Sequence, residues 1–283
     1  MSAVNEMADG SRQPPAIAIH NLVVNYGEHP AVKGLNLIVP AGAIFGFLGP
    51  NGAGKTTTIK AMLGLRQPSA GSIRVLGYDA IAQSLEVRAR VGYVSEVNSL
   101  YDFLTIPQLS AFCRSVSRQW NQGIVDRYVG VFGLPTHVKV GGFSKGMKSQ
   151  LALSLTLGSD PDLLILDEPT SGLDPMARHE FLNQLVAEIA AQGKTIFFSS
   201  HILSEVEAVA DWVGIIRDGQ LVVCDELDHL KQTQKVLKLT YAELPPTAEV
   251  NALRGLPGVM SLAQEGRSVR LLTHGDVESL AKT

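Results

Sequence analysis

The sequence predicts an α/β fold with a largely parallel central sheet, and three observations carry that expectation. Short runs with wholly apolar centres, "AIFGFLG", "DLLILDEP" and "TIFFSSH", alternate with longer stretches of helical spacing such as "PMARHEFLNQLVAEIAAQG". Strands covered on both faces of a parallel sheet read as such continuous apolar runs. The first run flows into the glycine-rich loop "GPNGAGKTTT" and then into helix formers, which is the strand–turn–helix order of an anion-binding loop. After "LKQTQK" the alternation restarts, which marks a small α+β extension at the C-terminus.

Each element follows from its local pattern. Residues 1–15 are polar and lack an apolar segment, so they read as a disordered tail without a secretory signal. "AIAIHNLVVNYG" and "AVKGLNLIVPAG" are short strands punctuated by Gly and Pro. "AIFGFLG" is a buried strand, and residues 56–65 form the helix after the loop. A turn at 68–71 precedes the strand "SIRVLG", a helix covers 84–90, and "VGYVSE" is the next strand. Over residues 97–158 strand signals thin out, and "TIPQLSAFCRSVSRQW" and "GIVDRYVGVFGL" carry helical spacing. This stretch reads as a helical insertion. Its segment "LALSLTL" alternates like a strand but follows a cap at Ser144, and is assigned to a helix. "VGIIRDGQLVV" is a hairpin with Asp218-Gly219 at its turn. The extension holds the strand "VLKLTY", a helix at 248–254, a hairpin about Glu265-Gly266 and a last helix. The expected division is a domain at 16–235, containing the helical part at 97–158, and an extension at 236–283.

Composition narrows the function. The chain has 283 residues, 45% of them hydrophobic, enough for one large domain with an appendage. A net charge of −3 argues against nucleic acid as the main partner, which usually leaves a basic excess. No run reaches the ~18 apolar residues of a membrane-spanning helix. The expectation is a cytoplasmic protein that meets a membrane only through a partner. Cys113 and Cys224 have no close metal-ligand partners in sequence and read as core thiols.

Gly49, Gly54, Lys55 and Thr56 complete G-x-x-x-x-G-K-[ST]. The glycines, with Asn51 and Gly52 between them, let backbone N–H groups close around phosphates. Lys55 supplies a point charge for the β- and γ-phosphates, the Thr56 hydroxyl a ligand for Mg²⁺, and Thr57 a contact to the α-phosphate. A dinucleotide reading fails because G-x-G-x-x-G is absent. Asp167 ends "LLILD", where a carboxylate emerges at the sheet edge beside the loop, and Glu168 follows. Asp167 holding Mg²⁺, directly or through water, and Glu168 polarising water is the matching division of labour. His201 closes "TIFFSSH" at the same edge, where it can donate to the γ-phosphate. Taken singly, Asp167 fits a loop acid, His201 an edge residue and Tyr26 a packing aromatic; the phosphate loop favours the catalytic readings of the first two. "GGFSKGMKSQ" is a second candidate anion-binding helix start, far along the chain from the first.

In this order the pieces resemble the nucleotide-binding subunit of ABC transporters over residues ~16–235. The resemblance implies a P-loop NTPase core with a mostly parallel sheet, an antiparallel β subdomain, a helical insertion and a small C-terminal α+β extension. It places Tyr26 where the family stacks adenine, "GPNGAGKTT" at Walker A, "GYVSE" at the Q-loop and "FSKGM" at the signature. "LLILDEPTSGLD" joins Walker B to the D-loop, and His201 stands at the switch position. It further implies ATP and Mg²⁺ as cofactors and a homodimer, or a pair with a close paralogue, in which Ser144 and Gly146 meet the ATP of the partner chain. A separately encoded membrane permease would dock on the helical insertion and Q-loop, around "NSLYDFLT" and residues up to Trp120. Two departures stand out: Glu96 replaces the Q-loop glutamine, and LSGGQ appears as Phe143-Ser144-Lys145-Gly146-Met147. Both variants resemble the subclass serving ABC-2-type exporters. Glu96 would still offer Mg²⁺ an oxygen, and Lys145 could offset its charge across the dimer. The alternative, a soluble ABC ATPase acting on nucleic acid or ribosomes, usually brings two cassettes or basic patches, which this chain lacks.

Overall fold

The structure, a computed structural model, describes residues 14–97, 99–190, 193–256 and 259–274. The chain divides after Cys224 into two compact units.

The first unit begins with β1 (Ile17–Tyr26) and the antiparallel β2 (His29–Val39). In β1 the buried positions are Ile17 and Ile19, then Leu22 and Val24, so the alternation slips by one residue. A bulge at that point, with Asn21 at φ +46°, absorbs the slip and keeps the apolar side chains on one face. The chain then forms β3 (Ile44–Leu48), α1 (Lys55–Met62), β4 (Ala70–Val75), β5 (Tyr78–Asp79), α2 (Ser84–Arg88) and β6 (Val91–Val94). α1 is shorter than the expected 56–65 because Gly64, at φ +66°, ends it in a left-handed turn. A four-stranded sheet of order β2-β1-β4-β5 results.

The helical insertion contains α3 (Ile106–Val116), α4 (Gln122–Val131) and α5 (Lys145–Gly158). "LALSLTL" lies within α5, so the cap at Ser144 outweighs the local alternation. The three helices close on their own core, which includes Ile106, Leu109, Val125, Val129, Leu151 and Leu155.

The chain returns to the main sheet with β7 (Leu163–Asp167), α6 (Pro175–Ala190), β8 (Thr195–Ser200), α7 (Leu203–Val209), β9 (Trp212–Arg217) and β10 (Gln220–Glu226). The strand order is β10-β9-β3-β8-β7-β6, and the β9, β3, β8, β7 and β6 pairings are parallel. Every residue of β7 and β8 is buried, as their apolar runs require. Phe45 and Phe47 of β3 pack on Phe197 of β8 with ring centroids 5.5 and 5.4 Å apart. A Cβ on Gly46 would lie 2.5 Å from Val206 Cγ1, so the glycine lets α7 sit directly on the central strand. Asp218 and Gly219 both adopt positive φ between β9 and β10, the turn that a two-residue hairpin demands.

The second unit carries α8 (Leu227–Thr233), β11 (Gln234–Thr240), α9 (Thr247–Arg254), β12 (Val259–Glu265) and β13 (Ser268–His274). Its antiparallel sheet has order β11-β13-β12, with Val250, Val269 and Leu271 in its core. The expected last helix falls outside the described residues, as does most of the N-terminal tail. Among the described residues, β5, α7, α8 and a 3-10 turn at Val140–Gly142 were not anticipated.

Candidate functional site

The glycine loop leaves β3, the central strand, at the carboxyl end of the parallel sheet, where α/β folds bind ligands. Gly54 is the N-cap of α1 at φ +104°, and no side chain caps the helix. No acidic residue occupies its first turn. The amides of that turn are therefore left for an anion. Gly49 is wedged against β9: a Cβ there would meet the Ile216 carbonyl oxygen at 2.4 Å. A side chain on Gly52 would instead project into open space, so the loop mouth has room for a ligand.

A cleft of about 550 Å³ opens at this loop. Asn51, Gly52, Gly54, Lys55, Thr56 and Thr57 form one wall, and Glu96 and Glu168 also line it. Glu96 is exposed, just beyond the end of β6. Tyr26, Gly49, Asp167, His201, Ser144 and Gly146 do not line the cleft. Among the described residues no group of three or more His, Cys, Asp or Glu side chains is arranged to hold a metal by itself.

Lys55 and Glu168 meet at the base of the cleft, and both are almost fully buried. Lys55 Nζ donates to the carbonyls of Gly49 at 2.6 Å and Pro50 at 3.2 Å. It lies 3.0 Å from Glu168 Oε1, a charge pair out of hydrogen-bond alignment that leaves this oxygen without a donor. His201 Nδ1 is 2.8 Å from Glu168 Oε2, with the imidazole N–H as donor. Glu168 adopts φ +48°, a conformation uncommon for a non-glycine residue. Its amide donates to Ser199 Oγ at 2.9 Å, and the same hydroxyl donates to Asp167 Oδ1 at 2.7 Å. Ser199 thus fixes both acids at once. Asp167 is 1% exposed.

Tyr26 is exposed at the end of β1. The Arg66 guanidinium covers one face of its ring at 4.1 Å, while Arg66 Nη2 donates to the Asn25 carbonyl at 2.6 Å. Ser144 caps α5, its hydroxyl accepting from the Met147 amide at 3.2 Å. Gly146 is buried against Leu173, whose Cδ2 would be 2.4 Å from an added Cβ. Lys145 crosses Gly172, and its Nζ donates to Ser171 Oγ at 3.0 Å. The signature turn therefore rests on the loop that follows Glu168.

Sequence reasoning missed the hydroxyl network behind the acids. Ser199, Ser200, Thr170 and Glu205 are all buried. Their polarity inside otherwise apolar surroundings was the available signal.

The family described as "ABC transporter" matches residues 32–171. The bacitracin transport ATP-binding protein BcrA of Bacillus licheniformis is 40% identical over 218 residues, covering 76% of this chain and 71% of that protein. The Nod factor export ATP-binding protein I of Burkholderia orbicola (strain AU 1054) is 39% identical, covering 73% of this chain and 69% of that protein. A solved structure described as the ATP binding subunit of an ABC transporter superposes with a TM-score of 0.69 at 28% identity. It covers 76% of this chain and 92% of that one. With the phosphate loop, paired acids and histidine gathered at one sheet edge, these likenesses establish that the chain belongs to the ABC transporter family, as one of its ATP-binding ATPases.

Proposed function

We propose that this ATPase dimerises around two ATP–Mg²⁺ complexes and powers a separately encoded membrane permease, an exporter of the ABC-2 type. The observation that carries the reading is the Glu168 carboxylate held between Lys55 Nζ and His201 Nδ1 beside an uncapped helix start. Lys55, the loop amides and Thr57 bind the phosphates. Thr56, Asp167 and Glu96 are the residues that would hold Mg²⁺, which when bound would supply charge neutralisation at the phosphates. Glu168 takes a proton from the attacking water; its Oε1 accepts no hydrogen bond and lies beside the Lys55 ammonium. His201 has two tasks. With Nδ1–H bound to Glu168, only a doubly protonated ring also donates from Nε2 to the γ-phosphate; a neutral ring serves one group at a time.

Tyr26 stacks adenine on the face that Arg66 leaves free. Ser144 and Gly146 complete the ATP site of the second chain, which accounts for their absence from the cleft of their own chain. Export is supported by the names of the two relatives, one a transport protein for bacitracin and the other an exporter of Nod factors. Among the described residues no helix is long and apolar enough to cross a membrane, so a pathway through the bilayer would come from another subunit on whose cytoplasmic face this one sits. Tyr101, Phe103 and Phe112 form an exposed aromatic cluster on the helical insertion, suited to that contact. The test is gel filtration of Glu168→Gln with ATP and Mg²⁺. A stable dimer that disperses when ATP is removed is expected; a monomer under saturating ATP overturns the shared-site reading.

A further inference from the structure

Glu205 is a buried acid that phosphate chemistry does not employ. It lies in α7, 7% exposed, and both of its oxygens are taken. Thr170 Oγ1 donates to Oε1 at 2.7 Å, and Ser200 Oγ donates to Oε2. Thr170 lies two residues after Glu168, and Ser200 immediately precedes His201. Ser200 Oγ also accepts the Ile202 amide at 2.9 Å, so the chain is fastened on both sides of His201. Arg178 Nη1, 4.0 Å from Oε1, is the nearby positive charge. Burying a carboxylate costs several kcal/mol unless its oxygens are satisfied. A packing role alone would be met by an apolar side chain. What Glu205 adds is a bridge between the loop after β7 and the last residue of β8, next to the two side chains, Glu168 and His201, that meet at 2.8 Å.

We propose that Glu205 is a positioning residue: by holding Thr170 and Ser200 it sets the contact between Glu168 and His201. It touches neither nucleotide nor water. The proposal rests on the catalytic roles given above to Glu168 and His201. Displacing a general base by about 1 Å costs on the order of 10²-fold in rate without removing the binding groups.

The test uses the full chain and the variants Thr170→Val, Ser200→Ala and Glu205→Gln, each alone and combined with Glu168→Gln. Each single variant is expected to lower kcat by roughly 10- to 100-fold and to change KM for ATP by less than about threefold. Combined with Glu168→Gln, none should lower the residual turnover further, because the effect passes through Glu168. In the ATP-free protein the ¹⁵N resonance of His201 Nδ1 should shift in Glu205→Gln, as the ring loses its fixed acceptor. If the hydroxyl variants melt as the parent does and keep its kcat, the proposal is overturned. It is equally overturned if their losses multiply with that of Glu168→Gln, since Glu205 then acts elsewhere. Should Glu205→Gln fail to fold, Thr170→Val and Ser200→Ala decide alone. Turnover undiminished by Glu168→Gln overturns the catalytic assignment itself, and this proposal with it.

Discussion

Replacing Ser199 by alanine removes one oxygen and strands two buried groups. The Glu168 amide loses its acceptor at 2.9 Å, and Asp167 Oδ1 loses its donor at 2.7 Å. Ser199 is completely buried and Asp167 is 1% exposed, so water cannot replace the hydroxyl without entering the core. An orphaned buried N–H costs about 1–3 kcal/mol, and a lost hydrogen bond to a charged group about 1.5–3 kcal/mol. The sum, taken at its lower end, is about 2.5 kcal/mol. For a unit of this size, each kcal/mol lowers the melting temperature by about 2–4 °C, so a fall of roughly 5–10 °C is expected. Urea unfolding followed by tryptophan fluorescence measures the loss directly, and steady-state ATPase should fall in parallel because both acids lose their anchor. A loss below about 1 kcal/mol with unchanged turnover would refute the reasoning: the two acids would then be held by something other than this hydroxyl.

Other outcomes follow from single contacts. Burial, with Asp167 nearby, pushes the Tyr93 phenol up to about 12. Its neutral form is favoured by folding, so its contribution to stability is complete below about pH 10 and is lost as the pH climbs toward 12. An absorbance titration should show a late tyrosinate step that vanishes in Tyr93→Phe. Gly54→Ala forces a Cβ to 2.6 Å from the Ala31 carbonyl at φ +104°, whereas Gly52→Ala meets nothing within 4 Å. Gly54→Ala should therefore lower stability by about 1–3 kcal/mol more than Gly52→Ala and weaken binding of a fluorescent ATP analogue; equal losses would contradict the packing. Glu96→Gln and Lys145→Gly, combined, should depart from additivity in Mg²⁺-dependent ATPase by at least about 0.5 kcal/mol if the two charges offset one another in a dimer. Additive effects would leave Lys145 as an anchor for Ser171 alone.

Contiguous patterns made the phosphate loop legible. Gly49 through Thr57 carry their instructions locally, and the apolar runs of β3, β7 and β8 allow little but a buried parallel sheet. The Asp218-Gly219 hairpin was readable for the same reason. α7 was not, because it is seven residues long and turns a glutamate, Glu205, toward the core beside Val206. No apolar period survives such an arrangement. The hydroxyls of Ser199 and Thr170 were hidden by distance along the chain, since their partners are 31 to 35 residues away. β5, at two residues, is defined by its pairing with β4 rather than by any pattern of its own.

The contact between Lys55 and Glu168 bears on how controls for this protein are chosen. A P-loop lysine is commonly deleted to obtain a variant that cannot hold nucleotide. Here the same deletion would also strip an acid, 7% exposed, of its counter-charge, a change that costs about 3–5 kcal/mol when a buried pair is broken on one side. Inactivity of Lys55→Ala would then mix lost affinity with a loosened fold. Combining Lys55→Met with Glu168→Gln removes both charges of the buried pair, and comparing that double variant with Lys55→Ala separates the one defect from the other.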